Sequence, residues 1–291
     1  MPNSPLKPVG SLKTIGMISS YVGPNLRAAD WLWSQAPQSF GRCGNIQMLA
    51  RSPHPDFLLL YNFHDFPKPP QKKRWPFQQK QEETRYAEEK EAFYAQTRGI
   101  PKERIIFLWR EPPLPEILHK NRLFYQRAQT YCGHISGPDD YAPNPNYMPA
   151  IWYVDASFRE LNDMPPPPKP KTCSWITSGI SRTENHRKRL SFLQQVQESG
   201  LEVDIYGRDL PEWCNNNGLL NNKWHGVAPY TYNLAIENYA DNDWYVSEKL
   251  WDSLLAWCLP IYYGGPAADK LLPPGSFLRL PSMDDKGIQY I

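Results

Sequence analysis

The chain lacks clustered cysteines, a charge excess and a long apolar run. Its five Cys stand at 43, 132, 173, 214 and 258, so no C-x-x-C metal or redox box exists. An odd, sparse set implies no disulfide framework, and reduced thiols are expected. No N-x-S/T sequon occurs, and the start, with Pro2, Pro5, Lys7 and Pro8, does not read as a secretory signal. The longest uncharged stretch, Ser253 to Ala268, is interrupted by Pro260 and Gly264-Gly265, too short and broken to span a bilayer. Lys and Arg number 32 against 30 Asp and Glu, a net charge of +2. That balance excludes a whole-surface electrostatic partner such as nucleic acid, yet leaves room for a local anion site. No Walker A, G-x-G-x-x-G or G-x-S-x-G motif is present, and the six His show no i, i+4 pair, so no zinc site is expected.

Proline and tryptophan are abundant instead, with 31 Pro and 11 Trp in 291 residues. With 41% hydrophobic and 13% aromatic residues the chain is not globally disordered. Its length suggests about two domains. The clearest seam is MPPPPKPK, residues 164–171, a stiff connector because consecutive prolines have fixed φ and no amide hydrogens. No internal repeat is visible. Before the seam, Thr14–Ser19, Phe57–Phe63 and Ile105–Trp109 read as buried strands, with Arg127–Tyr131 and Ile151–Val154 as further strand candidates. Gln79–Thr97 reads as an exposed helix, and His134 falls in a Gly-rich loop. After it, strands over 172–176, 201–206, 232–237, 259–263 and 276–280 alternate with helices over 181–199 and 247–257. Ser181-x-x-Glu184 resembles a capping box and Gly200 a helix stop. Such alternation predicts α/β architecture with a parallel sheet, whose ligands bind beyond the strand C-termini.

The densest segment is residues 230–266. A strand ends in Glu237-Asn238, a polar loop follows, and a helix begins at Tyr245-Val246-Ser247-Glu248-Lys249. A helix N-terminus has free amide hydrogens and a positive dipole end, which suit phosphate. Lys249 adds a point charge for a diphosphate, Glu248 suits the two hydroxyls of a ribose, and Tyr245 can stack or donate. An ordinary N-cap with an exposed Glu-Lys pair is the plain alternative. Asp241-Asn242-Asp243 is a D-x-D of the kind that holds a divalent metal on a nucleotide diphosphate, although paired acids are common in loops. Tyr61, His64, Trp75 and Trp109 offer rings for sugar stacking, with core packing as the default.

The segment resembles the donor-binding region of glycosyltransferase family 10, the α1,3/4-fucosyltransferases. That family runs FEN, a short loop, Y-V-T-E-K, L-W, then V-P and a Gly-Pro turn. Here stand Ile236-Glu237-Asn238, Tyr245 to Trp251, Leu259-Pro260 and Gly265-Pro266, followed by Pro274-Gly275-Ser276-Phe277. Upstream, Ser174–Ser178, Arg189-x-x-Phe192-Leu193-x-x-Val196 and Val203-Asp204-Ile205-Tyr206-Gly207 are similar to family elements. Glu111-Pro112-Pro113 resembles the E-P-P or E-S-P element that carries the general base. Arg187 and Lys188 adjoin Arg189, and a solvated basic helix face is the alternative there. For Glu111 the alternative is a strand-end carboxylate paired with Arg110 or Lys102. Ser247 for Thr, Tyr239 after the FEN-like step, Thr177-Ser178-Gly179, Trp257 and Cys258 depart from the pattern and are expected on the donor pocket wall.

The resemblance implies a GT-B-like fold, two Rossmann-like domains facing a cleft. Residues 1–164 would bind the acceptor and carry the base, 165–171 would link, and 172–291 would bind GDP-fucose. It implies inverting transfer of L-fucose from GDP-β-L-fucose to a hydroxyl of an oligosaccharide or glycolipid, giving an α linkage, α1,3 by family analogy. Glu111 would be the base. Arg189, Glu237, Asn238, Tyr245, Val246, Ser247, Glu248 and Lys249 would bind the donor, with no cofactor or metal required. A bacterial-type cytosolic enzyme, at most peripheral to the inner membrane face and making a surface glycan, is the expected setting. Two alternatives stand: a transferase for another nucleotide sugar, and a catalytically silent nucleotide- or glycan-binding module.

Overall fold

The runs TIGMIS and FLLLY lie side by side as parallel strands within the first of two sheets. The computed structural model describes residues 11–20, 30–147 and 151–291; Pro2, Pro5, Lys7 and Pro8 lie outside them. The first sheet comprises β1 (Lys13–Ser19), β2 (Arg42–Cys43), β3 (Ile46–Met48), β4 (Phe57–Tyr61), β5 (Ile105–Leu108), β6 (His134–Gly137) and β7 (Asn144–Pro145), in the order β2-β3-β1-β4-β5-β6-β7. Only β2 with β3 is antiparallel. The second comprises β8 (Lys171–Ser178), β9 (Val203–Arg208), β10 (Tyr230–Ile236), β11 (Leu259–Tyr263) and β12 (Leu278–Arg279), in the order β12-β11-β10-β8-β9, parallel throughout. The helices among the described residues are α1 (Asp30–Gln35), α2 (Pro76–Gln96), α3 (Leu118–Tyr131), α4 (Phe158–Asp163), α5 (Glu184–Glu198), α6 (Trp224–Val227), α7 (Glu248–Leu255), α8 (Ala267–Leu271) and α9 (Asp285–Tyr290). Each sheet with its helices is an α/β layer structure of the Rossmann-like type.

Each sheet has its own core. Leu58, Leu60, Phe63, Phe66, Phe93, Phe107 and Trp109 fill the first, where Phe63 meets Phe66 edge to face at 5.0 Å. Trp175, Phe192, Leu193, Val196, Ile205, Leu234 and Ile261 fill the second. Burying one such side chain stabilises by about 1.5–3 kcal/mol. The buried apolar face of α5 is Phe192, Leu193 and Val196, and Gly200 follows the helix at φ +78°, a left-handed stop that suits glycine.

Several elements differ from the sequence reading. Arg127–Tyr131 belongs to α3, where Asn121, Tyr125, Ala128 and Tyr131 are buried at helical spacing. Polar residues between them break any alternation that a strand would need. Ile151–Val154 forms no strand; Ile151, Trp152 and Val154 are buried in irregular backbone whose amides at Tyr153 and Val154 donate to Asp252. The cap of α5 is Thr183 with His186, two residues beyond Ser181. His134 opens strand β6.

Contacts divide the described residues into two units. The first holds the residues up to Glu111 with Ile117–Pro145 and Ser157–Arg159; the second holds Pro112–Glu116, Asn146–Ala156 and Glu160–Ile291. The short early segments of the second unit are tied there by side chains. Glu116 accepts the Glu184 amide at the start of α5, at 3.0 Å, and Asp252 of α7 accepts Tyr153 N at 2.6 Å. Among the described residues no helix is long and apolar enough to cross a membrane.

Candidate functional site

Numbered within its own sheet, the second unit has strand order 2-1-3-4-5, with the reversal between β8 and β10. Ligands of open parallel sheets bind outside the strand C-termini at such a switch point. Ser178 ends β8 there, and Glu237-Asn238 follow β10.

Arg189 of α5 reaches into this place. It is 3% exposed, and its Nη1 donates to Asn238 Oδ1 at 2.6 Å. Nη2 donates to Ser178 O at 2.8 Å and Ile180 O at 3.2 Å, and Nε has no partner. Among the described residues no carboxylate lies within 4.0 Å of the guanidinium. Burial without a counter-charge pulls its pKa down to about 10. The neighbours named with it in the sequence turn away. Arg187 is exposed and donates to Ser181 O, and Lys188 pairs with Glu184 at 2.8 Å on the surface. His186 lies behind Arg189 as part of the α5 cap, its pKa lowered by burial and then by the Arg189 charge.

The loop from Glu237 to Lys249 is closed by one carboxylate. Glu237 is 1% exposed; its Oε1 accepts Ser247 N at 2.7 Å and its Oε2 accepts Ser247 Oγ at 2.6 Å. Burial pushes its carboxyl up, against Lys249 Nζ at 3.5 Å. Ser247 also caps α7 by accepting Lys249 N, and Lys249 Nζ donates to its Oγ at 3.0 Å. Val246 is fully buried in the core beneath. Tyr245 is buried, its ring edge-on to Tyr239 at 6.4 Å and its amide donating to Asn242 Oδ1 at 3.0 Å. Glu237 and Val246 therefore shape the loop, while Lys249 and Glu248 keep about a fifth of their side chains exposed.

Glu248 is fixed by a lysine that sequence reading did not single out. Lys223 Nζ donates to Glu248 Oε1 at 3.2 Å and Asp252 Oδ2 at 2.9 Å, and sits 5.3 Å from the Tyr153 ring centroid. Burial opposes charge on Glu248, but Lys249 and Lys223 outweigh it and hold its carboxyl at about 2. Burial pushes the Asp252 carboxyl up, against Lys223. Asp252 was legible as an acid one turn after Glu248 on the buried face of α7; nothing in the sequence around Lys223 marks it. Below them Asn233 donates to Ser174 O at 3.0 Å and accepts Ser253 Oγ at 2.9 Å, tying β10 to β8 and α7. A cavity of about 20 Å³, room for about one water, is lined by Ile176, Lys223, Asn233, Lys249 and Asp252.

Glu111 belongs to the first unit, just beyond β5. Asn62 Nδ2 donates to Glu111 Oε1 at 3.3 Å, and Asn62 Oδ1 accepts Arg110 N at 2.6 Å. Asn62 is 3% exposed at φ +45°, a left-handed conformation that Asn tolerates. Arg110 turns its guanidinium to Trp109 O and Ser136 Oγ, and Lys102 donates to Gln129 O. Tyr61 and Trp109 are core residues, whereas Trp75 is 61% exposed. His64 is exposed, its ring 5.3 Å from Trp109 and 5.4 Å from Phe124.

Trp257 and Cys258 do not stand at the strand C-termini. They precede the first residue of β11, at the N-terminal end of the strands, where Cys258 packs with Val227, Ala228 and Tyr230. In the D-x-D, Asp243 pairs with Lys270 at 3.0 Å, and among the described residues no group of three or more His, Cys, Asp or Glu is gathered as for a metal ion.

Residues 166–286 match the family described as glycosyltransferase family 10 (fucosyltransferase) C-term. A GDP-fucose protein O-fucosyltransferase 3 from Xenopus tropicalis is 36% identical over 92 residues, 29% of this chain and 19% of that protein. An alpha-(1,3)-fucosyltransferase C from Drosophila melanogaster is 33% identical over 114 residues, 38% of this chain and 24% of that protein. The chain thus spans about a fifth to a quarter of the curated relatives it matches. A crystal structure of an alpha1,3-fucosyltransferase with GDP-fucose aligns over 96% of this chain and 77% of that one, at 16% identity and a TM-score of 0.41.

Proposed function

With residues 166–286 belonging to the fucosyltransferase C-terminal domain of glycosyltransferase family 10, we propose that the chain transfers L-fucose from GDP-β-L-fucose to an acceptor hydroxyl, inverting the anomeric centre to give an α linkage. The observation that carries the donor half is the Arg189 guanidinium: buried, without a carboxylate, at the β8/β10 switch point. A buried cation without a counter-charge is costly in isolation and is balanced when an anion binds. A nucleoside diphosphate supplies that anion, and Lys249 with the α7 N-terminus adds to the field.

The chemistry follows from charge. The C1–O bond to the diphosphate breaks through an oxocarbenium-like transition state, and negative charge grows on the leaving oxygen. Arg189 and Lys249, held before the reaction begins, stabilise that charge without reorganising. Glu248, an ionised acceptor at neutral pH, takes the ribose hydroxyls. The acceptor hydroxyl attacks C1 from the opposite face and passes its proton to Glu111, which must come within about 3 Å of it at turnover. In this reading Glu237 and Ser247 set the loop that leads into Lys249 and the start of α7. The protein's own cations neutralise the diphosphate, so no metal is required in this reading.

Calorimetric titration of GDP, GDP-fucose, GDP-mannose and UDP-galactose in EDTA tests the donor half. Selective binding of GDP and GDP-fucose supports it; preference for another nucleotide, or binding only with added metal, overturns it. The acceptor has two readings. An oligosaccharide hydroxyl fits the α1,3-fucosyltransferase relatives, with α1,3 regiochemistry. A polypeptide Ser or Thr hydroxyl fits the relative named for protein O-fucosylation. Turnover on glycan or on peptide acceptors separates them.

A further inference from the structure

The second unit carries a groove far from its strand C-termini. It lies between the last turns of α5, the start of β9 and the segment 213–217, with a volume of about 410 Å³, within the range of small-molecule sites. Leu201 and Val203 give it an apolar floor. Val203 pairs with Cys173 near the start of β8, five residues before Ser178, so at about 3.3 Å per residue the groove is roughly 16 Å along the sheet from the candidate donor site.

Its lining has free recognition groups. Trp213 is 46% exposed, with no ring neighbour and no hydrogen bond to its indole among the described residues. The Asn215 carboxamide is likewise without a partner, its backbone O alone being used by Gln197 at 2.5 Å. Gln194 donates to Glu198 at 2.8 Å and keeps its carbonyl available. Among the described residues the one charged lining residue besides Glu198 is Asp204, already paired with Lys171 at 2.8 Å, and no Lys or Arg lines the groove.

An exposed indole and two aliphatic side chains, among carboxamides and a carboxylate, have a natural complement. A pyranose ring offers an apolar C–H face for the indole and vicinal hydroxyls for planar amide and carboxylate groups. Glu198 disfavours an anionic ligand, Asp204 being paired with Lys171, and among the described residues no cation in the lining meets a nucleotide phosphate. We propose that this groove is a binding site for a neutral oligosaccharide, separate from the donor site and capable of holding a glycan on the chain without reacting with it. The proposal stands whether or not the transferase reading is right.

The test titrates chitotetraose, maltotetraose, lacto-N-neotetraose and 3′-sialyllactose into the whole chain, with and without saturating GDP. The expected result is millimolar or tighter binding of at least one neutral oligosaccharide, unchanged by GDP, and none of sialyllactose. Trp213→Ala should weaken that binding about tenfold or more and Asn215→Ala about threefold, with GDP affinity and Tm unchanged. Asn215 is exposed, so its variant reports on the groove even if Trp213→Ala perturbs folding. Failure of every neutral sugar to bind, equal binding of sialyllactose, or binding indifferent to both substitutions overturns the proposal.

Discussion

At the scale of single residues, burial sorts the charged side chains more sharply than their order in the chain does. Arg187, Lys188 and Arg189 are consecutive, yet only Arg189 is buried at the switch point. Arg189→Ala should therefore weaken GDP binding roughly 10- to 100-fold, whereas Arg187→Ala should leave it within about twofold; calorimetry reads both. Glu248 supplies a pH test. Its folded pKa of about 2 lies below the ordinary 4.5, so the folded state binds its proton less readily than the unfolded state. The stabilising contribution is present above pH 4.5 and disappears as pH falls towards 2. Glu248→Gln removes it. The stability gap between wild type and variant should be widest above pH 4.5 and shrink on acidification; a pH-independent gap in denaturant titrations would contradict the Lys223 and Lys249 coupling.

At the scale of elements, the site depends on short contacts that admit no extra atom. A Cβ on Gly179 would lie 1.5 Å from Asp209 O, and Gly179 follows the Ser178 carbonyl that holds Arg189. Gly179→Ala should push the end of β8 from the loop after β9, lowering GDP affinity together with thermal stability. Ser247→Ala should cost about 1–2 kcal/mol, because it uncaps α7 and removes the hydroxyl that serves Glu237. Chemical denaturation checks the value. Helix α3 shows where pattern reading fails. Its buried face carries Asn121 and two tyrosines, so the stripe is amphipathic in shape but weak in hydropathy.

At the scale of the whole molecule, the two sheets have separate cores, and the transferase reading assigns the base to one unit and the donor to the other. Glu111→Gln should then reduce turnover by about 10²–10⁴-fold while GDP affinity in the second unit stays unchanged. A matching loss of GDP binding would show that Glu111 acts through folding instead. Asn62 belongs to the same test: Asn62→Gly keeps the left-handed backbone and removes both hydrogen bonds to the Arg110-Glu111 step. Turnover should fall with little change in GDP affinity.

The sequence by itself determined the α/β class, the strands that are uniformly apolar, and the 237–249 segment as a strand end, a loop and a helix start. These are properties of local periodicity and of helix and strand ends, which neighbouring residues dictate. Which of three adjacent basic side chains is buried, that Glu237 spends both oxygens on Ser247, that Lys223 locks Glu248 from a loop 25 residues away, and that Trp257 stands at the opposite end of the strands from the candidate donor residues were decided only in the tertiary structure. Each depends on which strand ends the sheet order brings together, and parallel pairing across helical crossovers joins residues that no local pattern relates.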